Sequence, residues 1–305
     1  GGMISRTIRC GDDFHEYVPP GGTLTEGYIT SPEITGNEYD KYIGLSDVKP
    51  VLKKDSEPDI FFYTIPHASG KFIIDKSRGA VLVDKNTNLK IEYFSHDLVK
   101  KYFTITSPDG TVYTFKEYEK TSSYHRPGYL NQNMNNATKF DEYEDKLNFI
   151  YSSPFEYTSC WMLTDICTTN GRHVTFTYEK ETYQAPVHES AEKYHITTFG
   201  TGNIAGPSEG EVRYSCCKTI SDTWRLSQIT WDGGYVVFDT NTREDEIGIS
   251  TSTNPHKLVS IKIYNNIDKL IKETYFDYEY FNNSYTGAYP HVFKRLKLVG
   301  ISEPS

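Results

Sequence analysis

The stretch that most constrains this chain runs from Trp161 to Tyr178. An apolar run up to Ile166, an Asn170-Gly171 pair, and then Val174, Phe176 and Tyr178 alternating with Thr175 and Thr177 spell out a β-hairpin. Its turn reads as a tight one with positive φ at both central residues. The same grammar returns at Arg225 to Asp239, with Leu226 and Ile229, an Asp232-Gly233-Gly234 turn, and then Tyr235 to Phe238. It returns again at Leu258 to Tyr280, around a turn near Asn265-Asn266, and earlier at Tyr102 to Phe115, around Pro108-Asp109-Gly110. Degenerate copies of one hairpin predict an all-β fold with little helix, built as a large curved antiparallel sheet or a sandwich. The 25 Tyr and 16 Phe suit pleated, half-buried surfaces better than helices.

Two regions are expected. Residues 1–58 are rich in Gly, Pro, Thr, Ser and Asp beyond Gly11, with short strands at Tyr28-Ile29 and Tyr42-Ile43, and read as an irregular segment packed on the sheet. Residues 59–305 form the hairpin-repeat region, opening with dense runs at Ile60 to Tyr63, Gly70 to Ile74, Ala80 to Val83 and Leu89 to Phe94. The short breaks between these runs leave no room for parallel crossovers, so the pairing is antiparallel. Two polar insertions, Tyr118 to Tyr157 and Glu179 to Gly210, read as long rim loops of the kind that carry function, with a short helix around Glu189 to Tyr194. The run Arg295 to Ile301 looks like another opening strand without its return, as if the chain were cut inside a repeat.

A net charge of -9 argues against a nucleic-acid partner, because phosphate binding relies on clustered Lys and Arg. No run approaches the roughly 20 apolar residues of a membrane span, and residues 1–20 hold no signal-peptide apolar core. Cys10, Cys160, Cys167, Cys216 and Cys217 show no Cys-x-x-Cys spacing for zinc or redox chemistry.

No catalytic, cofactor-binding or metal-binding residue is assigned from the sequence. His188 and His195 are seven residues apart where two ligands on one helical face need four, so no zinc site is read there. Asp55, Glu57 and Asp59, and Asp239, Asn241 and Asp245, lack the glycine of a calcium loop and read as solvated acidic strand ends. Cys160 or Cys167 with His173 reads as strand packing rather than a nucleophile and its base. Any of 41 acidic residues could supply the carboxylate pair of a glycoside hydrolase, and nothing selects one. Trp161, Trp224 and Trp231 are the candidate ligand-stacking residues, since amphipathic rings suit a sugar face.

The segments Glu57 to Tyr63, Ser69 to Phe72, Ser107 to Thr111 and the hairpin Leu163 to Tyr178 together resemble the N-terminal region of bacterial RHS (YD-repeat) proteins. The regular Tyr-Asp step of that family is replaced here by Phe238-Asp239 and Phe276-Asp277. The resemblance implies an exported protein, cell-surface or extracellular, whose repeats coil a sheet into a hollow shell. It implies a non-enzymatic structural or encapsulating role, with downstream repeats of the same polypeptide as partners and no cofactor. The alternatives are a carbohydrate-binding β module with glycans as partners, and a glycoside hydrolase.

Overall fold

The structure is a computed structural model that describes residues 2–8, 16–17, 25–26, 58–75, 79–84, 88–96, 100–126, 155–185, 188–193, 212–246, 248, 254–281 and 294–304. Those residues form seventeen strands and no helix, fifteen of them in one sheet whose ladders are all antiparallel. The all-β reading therefore holds. The expected strands at Tyr28 and Tyr42 lie outside the described residues, as does the whole region from Pro127 to Pro154.

One end of the molecule has two layers. The first contains β1 (Met3–Thr7), β4 (Ile60–Ile65), β5 (Ala68–Ile74) and β6 (Ala80–Leu82); β2 (Glu16–Tyr17) and β3 (Thr25–Glu26) form a separate small ladder. The second contains β7 (Lys90–His96), β8 (Lys100–Thr106) and β9 (Val112–Arg126). Phe61 and Phe72 on the first layer each meet Phe103 on the second at 5.7 Å between ring centroids, and no ladder joins their strands. Face-to-face apolar packing, rather than hydrogen bonding, thus closes this body. Its core holds Ile4, Tyr63, Phe115, Trp161 and Leu163, all at 1% exposure or less.

The strand β10 (Phe155–Cys167) joins the layers. One edge pairs with β9 from Phe155 to Cys167, and the other is shared between β1 at Cys160 to Met162 and β11 (His173–Gln184) at Asp165 to Cys167. After that short contact β11 leaves β10 and pairs with β13 (Val212–Trp231), whose far half returns to pair with β9. Strands β9, β10, β11 and β13 therefore close a ring of ladders.

Beyond the ring, β14 (Gly234–Thr242), β15 (His256–Asn265), β16 (Leu270–Phe281) and β17 (Arg295–Ser302) continue, among the described residues, as a single-layer leaf. Among the described residues β17 has one neighbour, β16. No large apolar side chain of the leaf reaches the burial of the body core, and Leu298 and Ile301 are 48% and 62% exposed.

One irregularity recurs. Leu163 and Asp165 pair with Phe115 and Thr114, leaving Thr164 as an extra residue, and Leu226 and Gln228 pair with Tyr178 and Thr177, leaving Ser227. Leu258 with Ser260, and Leu298 with Gly300, repeat this with Val259 and Val299 left over. Each is a β-bulge at the second residue of a Leu-x-x-Ile segment, so the repeat seen in the sequence is also a repeat of backbone geometry. The Thr164 and Ser227 hydroxyls donate to the Thr114 and Thr177 carbonyls at 3.0 and 3.1 Å, serving acceptors at the bulge. Both Phe-Asp steps, Phe238-Asp239 and Phe276-Asp277, fall opposite such a bulge.

Three sequence expectations are corrected. The hairpin turn at Asn170-Gly171 is a five-residue loop in which the Gly171 N–H donates to the Thr168 carbonyl, and only Gly171 has positive φ. Ser107 to Thr111 and Asn265 to Lys269 carry the same hydrogen bonds, with Gly110 and Asp268 in the left-handed position. A turn followed by one left-handed residue needs one permissive position rather than two. The segment placed in a helix around Glu189 is instead strand β12 (His188–Lys193), paired with β13, whose edge overrides a weak local preference. Finally, Met3–Thr7 is a central strand of the sheet, too short for its alternation to be read from sequence alone.

Candidate functional site

The ladder between β13 and β14 lasts only from Gln228 to Trp231, after which β13 turns to β9 and β14 peels away. Two strands that diverge expose backbone and leave a wedge, and here charged side chains fill it. Glu181 on β11 accepts from Arg225 Nε on β13 at 2.6 Å and lies 2.9 Å from His256 Nδ1 on β15. Arg225 also reaches Glu179. Beside this hub Asp245 accepts two bonds from Arg243, at 3.0 and 2.8 Å, and one from the Leu296 N–H at 2.8 Å. Arg243 holds Glu246 as well, at 3.1 Å.

Glu181 and Asp245 are 8% and 6% exposed, a depth at which carboxylates persist only when paired. Burial raises the Glu246 carboxyl above its ordinary range, and the neighbouring Asp245 and Glu181 charges add to the rise against Arg243. The bonds from Arg243 and the Leu296 N–H outweigh burial at Asp245 and lower it. Two adjacent carboxyls pushed in opposite directions is also the pattern of an acid and base pair. Here one guanidinium grips both, and Asp245 is spent on Arg243 and the β17 backbone, so the arrangement ties strands together. Among the described residues no group of three or more His, Cys, Asp or Glu is placed to hold a metal ion.

A second polar network lies on the leaf. Lys262 contacts Asp239 at 2.9 Å and Glu273 at 3.4 Å, and Ser260 donates to Asp239 at 2.8 Å. Lys262 holds Asp239 below the usual carboxylate range and is itself raised by it. The acidic residues read as solvated strand ends are therefore engaged: Asp239 and Asp245 as above, and Asp59 wholly buried against Arg6 at 3.5 Å. Asp55, Glu57 and His195 lie outside the described residues.

The three tryptophans occupy different settings. Trp161 is fully buried, edge-on to Phe103 at 4.9 Å, so its ring offers no face to a ligand. Its place in an apolar run beside the hairpin explains why. Trp224 is half-buried, and its Nε1 donates to the Tyr118 carbonyl at 2.7 Å, bridging β13 to β9 inside the ring. Trp231 sits at the β13–β14 turn with 36% of its surface exposed. Cys160 donates to Glu119 at 2.9 Å, with its thiol pushed up chiefly by burial, whereas His173 Nδ1 lies 3.0 Å from Asp165. Sequence reading missed Glu181, Arg225, His256 and Arg243, because they come from distant segments and no local spacing links them.

The fold and this site define an all-β hairpin-repeat protein whose strands are tied by ionic clamps. No family model and no curated protein matches the chain. Among solved structures it is similar to the N-terminal domain of the effector protein SpvB from Salmonella typhimurium strain LT2, with TM-score 0.39 and 11% identity over 99% of this chain and 86% of that one. It is also similar to TcdB2-TccC3, with TM-score 0.36 and 11% identity over 91% of this chain, and to the Photorhabdus luminescens Tc holotoxin pore, with TM-score 0.32 and 11% identity over 69%. It spans 13% and 10% of those two chains. Likeness of this size carries no argument about activity, ligand or partner. No helix among the described residues is long and apolar enough to cross a membrane.

Proposed function

We propose that this chain is a non-enzymatic structural segment of an exported RHS-like protein, one that lays down the first turns of a curved β shell and presents β17 to further repeats of the same polypeptide. The observation that carries this reading is the bulged Leu-x-x-Ile junction, met four times, whose members differ in cover: Leu163 is fully buried, and Leu298 in the last copy is 48% exposed on a strand with one described neighbour. A unit that buries its apolar face only by stacking on the next is the physical signature of a repeat array. The clamp at Glu181 and Asp245 supports the same reading, since it fixes how the leaf departs from the body.

Hydrogen exchange on β17 tests this. In a longer natural polypeptide carrying further repeats, the amides of Leu296 to Ile301 should be protected at least tenfold more than in the present chain alone. Equal exchange in both would overturn the proposal. A glycan platform lacks comparable support, since Trp161 is sealed in the core.

A further inference from the structure

Strand β1 is five residues long yet is paired on both edges, to β10 over Met3 to Ser5 and to β4 over Met3 to Thr7. Its partners lie about sixty and one hundred and sixty residues away, and each has another partner of its own, β5 for β4 and β9 for β10. β1 is the strand whose ladders join β4 to β10; apart from it β4 is held by its ladder to β5 and by the packing of Phe61 and Phe72 on Phe103, and β10 by its ladder to β9. What enters the seam is chemically specific: Ile4, at 0% exposure, points into the core. Two residues on, Arg6 places its guanidinium 3.5 Å from Asp59, with both side chains fully buried, and 5.9 Å from the ring centroids of Phe61 and Trp161. A buried carboxylate that pairs a guanidinium lying near two aromatic rings makes a guanidinium-recognition site, and backbone pairing on both edges adds the affinity of strand addition.

We propose that this seam is a strand-receptor site for an extended Ile-x-Arg segment, whose resident ligand is the chain's own Met3–Thr7 and which also accepts that segment from a second copy. Residues 8–59 separate β1 from β4, a length of chain that at roughly 3.3–3.6 Å per residue suffices to reach another molecule. Exchange would be reciprocal, each copy lending its Arg6 to the other's Asp59, as in domain swapping.

A charge reversal separates the cis and trans arrangements. R6D and D59R chains each bring like charges together in the seam, and each should melt roughly 5 °C or more below the original chain. Mixed at equal concentration and refolded together, they should give a heterodimer of twice the monomer mass with melting restored, because each strand finds its complement only in the other copy. The R6D/D59R double variant should recover the melting temperature as a monomer. If the double variant recovers while the mixture stays as two destabilised or aggregated monomers, the seam accepts its strand only in cis and the proposal fails. If the double variant does not recover, the ion pair is not the recognition element and the proposal fails equally. Poor folding of the single variants leaves both readouts intact, since the mixture and the double variant are judged against each other.

Discussion

The two-layer body and the single-layer leaf are made from the same hairpin, and they bury it very differently. Leu163 and Leu298 hold equivalent bulge positions, yet one is sealed in the core cluster that also holds Phe61, Phe103 and Trp161 while the other is 48% exposed. The hairpin motif specifies pairing and bend; burial comes from whether a second layer lies across it. The body should therefore hold most of the unfolding free energy, and the leaf should owe its order to ladders and charge networks.

The largest effect should come from the body. Trp161→Ala empties the contact shared by both layers and should cost about 3–5 kcal/mol, read as a fall in the guanidinium midpoint. Leu298→Ala in the same assay should cost less than about 1 kcal/mol, and equal losses would show that the leaf has a core of its own. Within the leaf, Gly234→Ala should be the damaging change. A Cβ there would lie 2.1 Å from the Tyr264 carbonyl, and φ is 153°, so a loss of about 1–3 kcal/mol is expected. Hydrogen exchange should place that loss in β14 and β15 while β4 and β10 keep their protection.

At the junction, Glu181→Ala removes the acceptor shared by Arg225 and His256 and should cost about 1.5–3 kcal/mol in the same unfolding assay. The smallest effect concerns pH. Glu246 is raised in the folded state above its ordinary value of 4.5, so its charge is a cost at neutral pH that is relieved as pH falls through the folded value. Asp245 and Asp239 are lowered, so their contribution is present above their ordinary values and is lost only as pH falls through the folded ones. Glu246→Gln should flatten the decline of stability on the alkaline side of 4.5 by less than about 1 kcal/mol and leave the loss at lower pH unchanged. An unaltered alkaline limb would mean that Glu246 is as solvated folded as unfolded.

How much of this was legible follows from the range of each interaction. The hairpins at Tyr102, Trp161, Arg225 and Leu258 were readable because period-two alternation and turn residues are local signals. The turn form was not, because Asn-Gly suits both a two-residue turn and the longer loop that Thr168 closes. Nor was β12, five polar residues and Ala191 whose conformation is imposed by β13. The ionic junction was out of reach altogether: Glu181 and His256 are 75 positions apart, and no periodicity connects them. Asp59 shows the limit of reading polarity as exposure, since a carboxylate beside a strand is solvated only when nothing like Arg6 is folded against it.

The ring of β9, β10, β11 and β13 also sets a schedule for synthesis. Lys120 on β9 pairs with Asp222 on the edge opposite β10, so that edge of the outer half of β9 waits for a partner about one hundred residues further along the chain. At a translation rate of roughly 5–20 residues per second that wait lasts about 5–20 s. During it Lys120 to Arg126 is a bare edge on a nascent chain, and the ribosome becomes a place where this protein is exposed to wrong pairing.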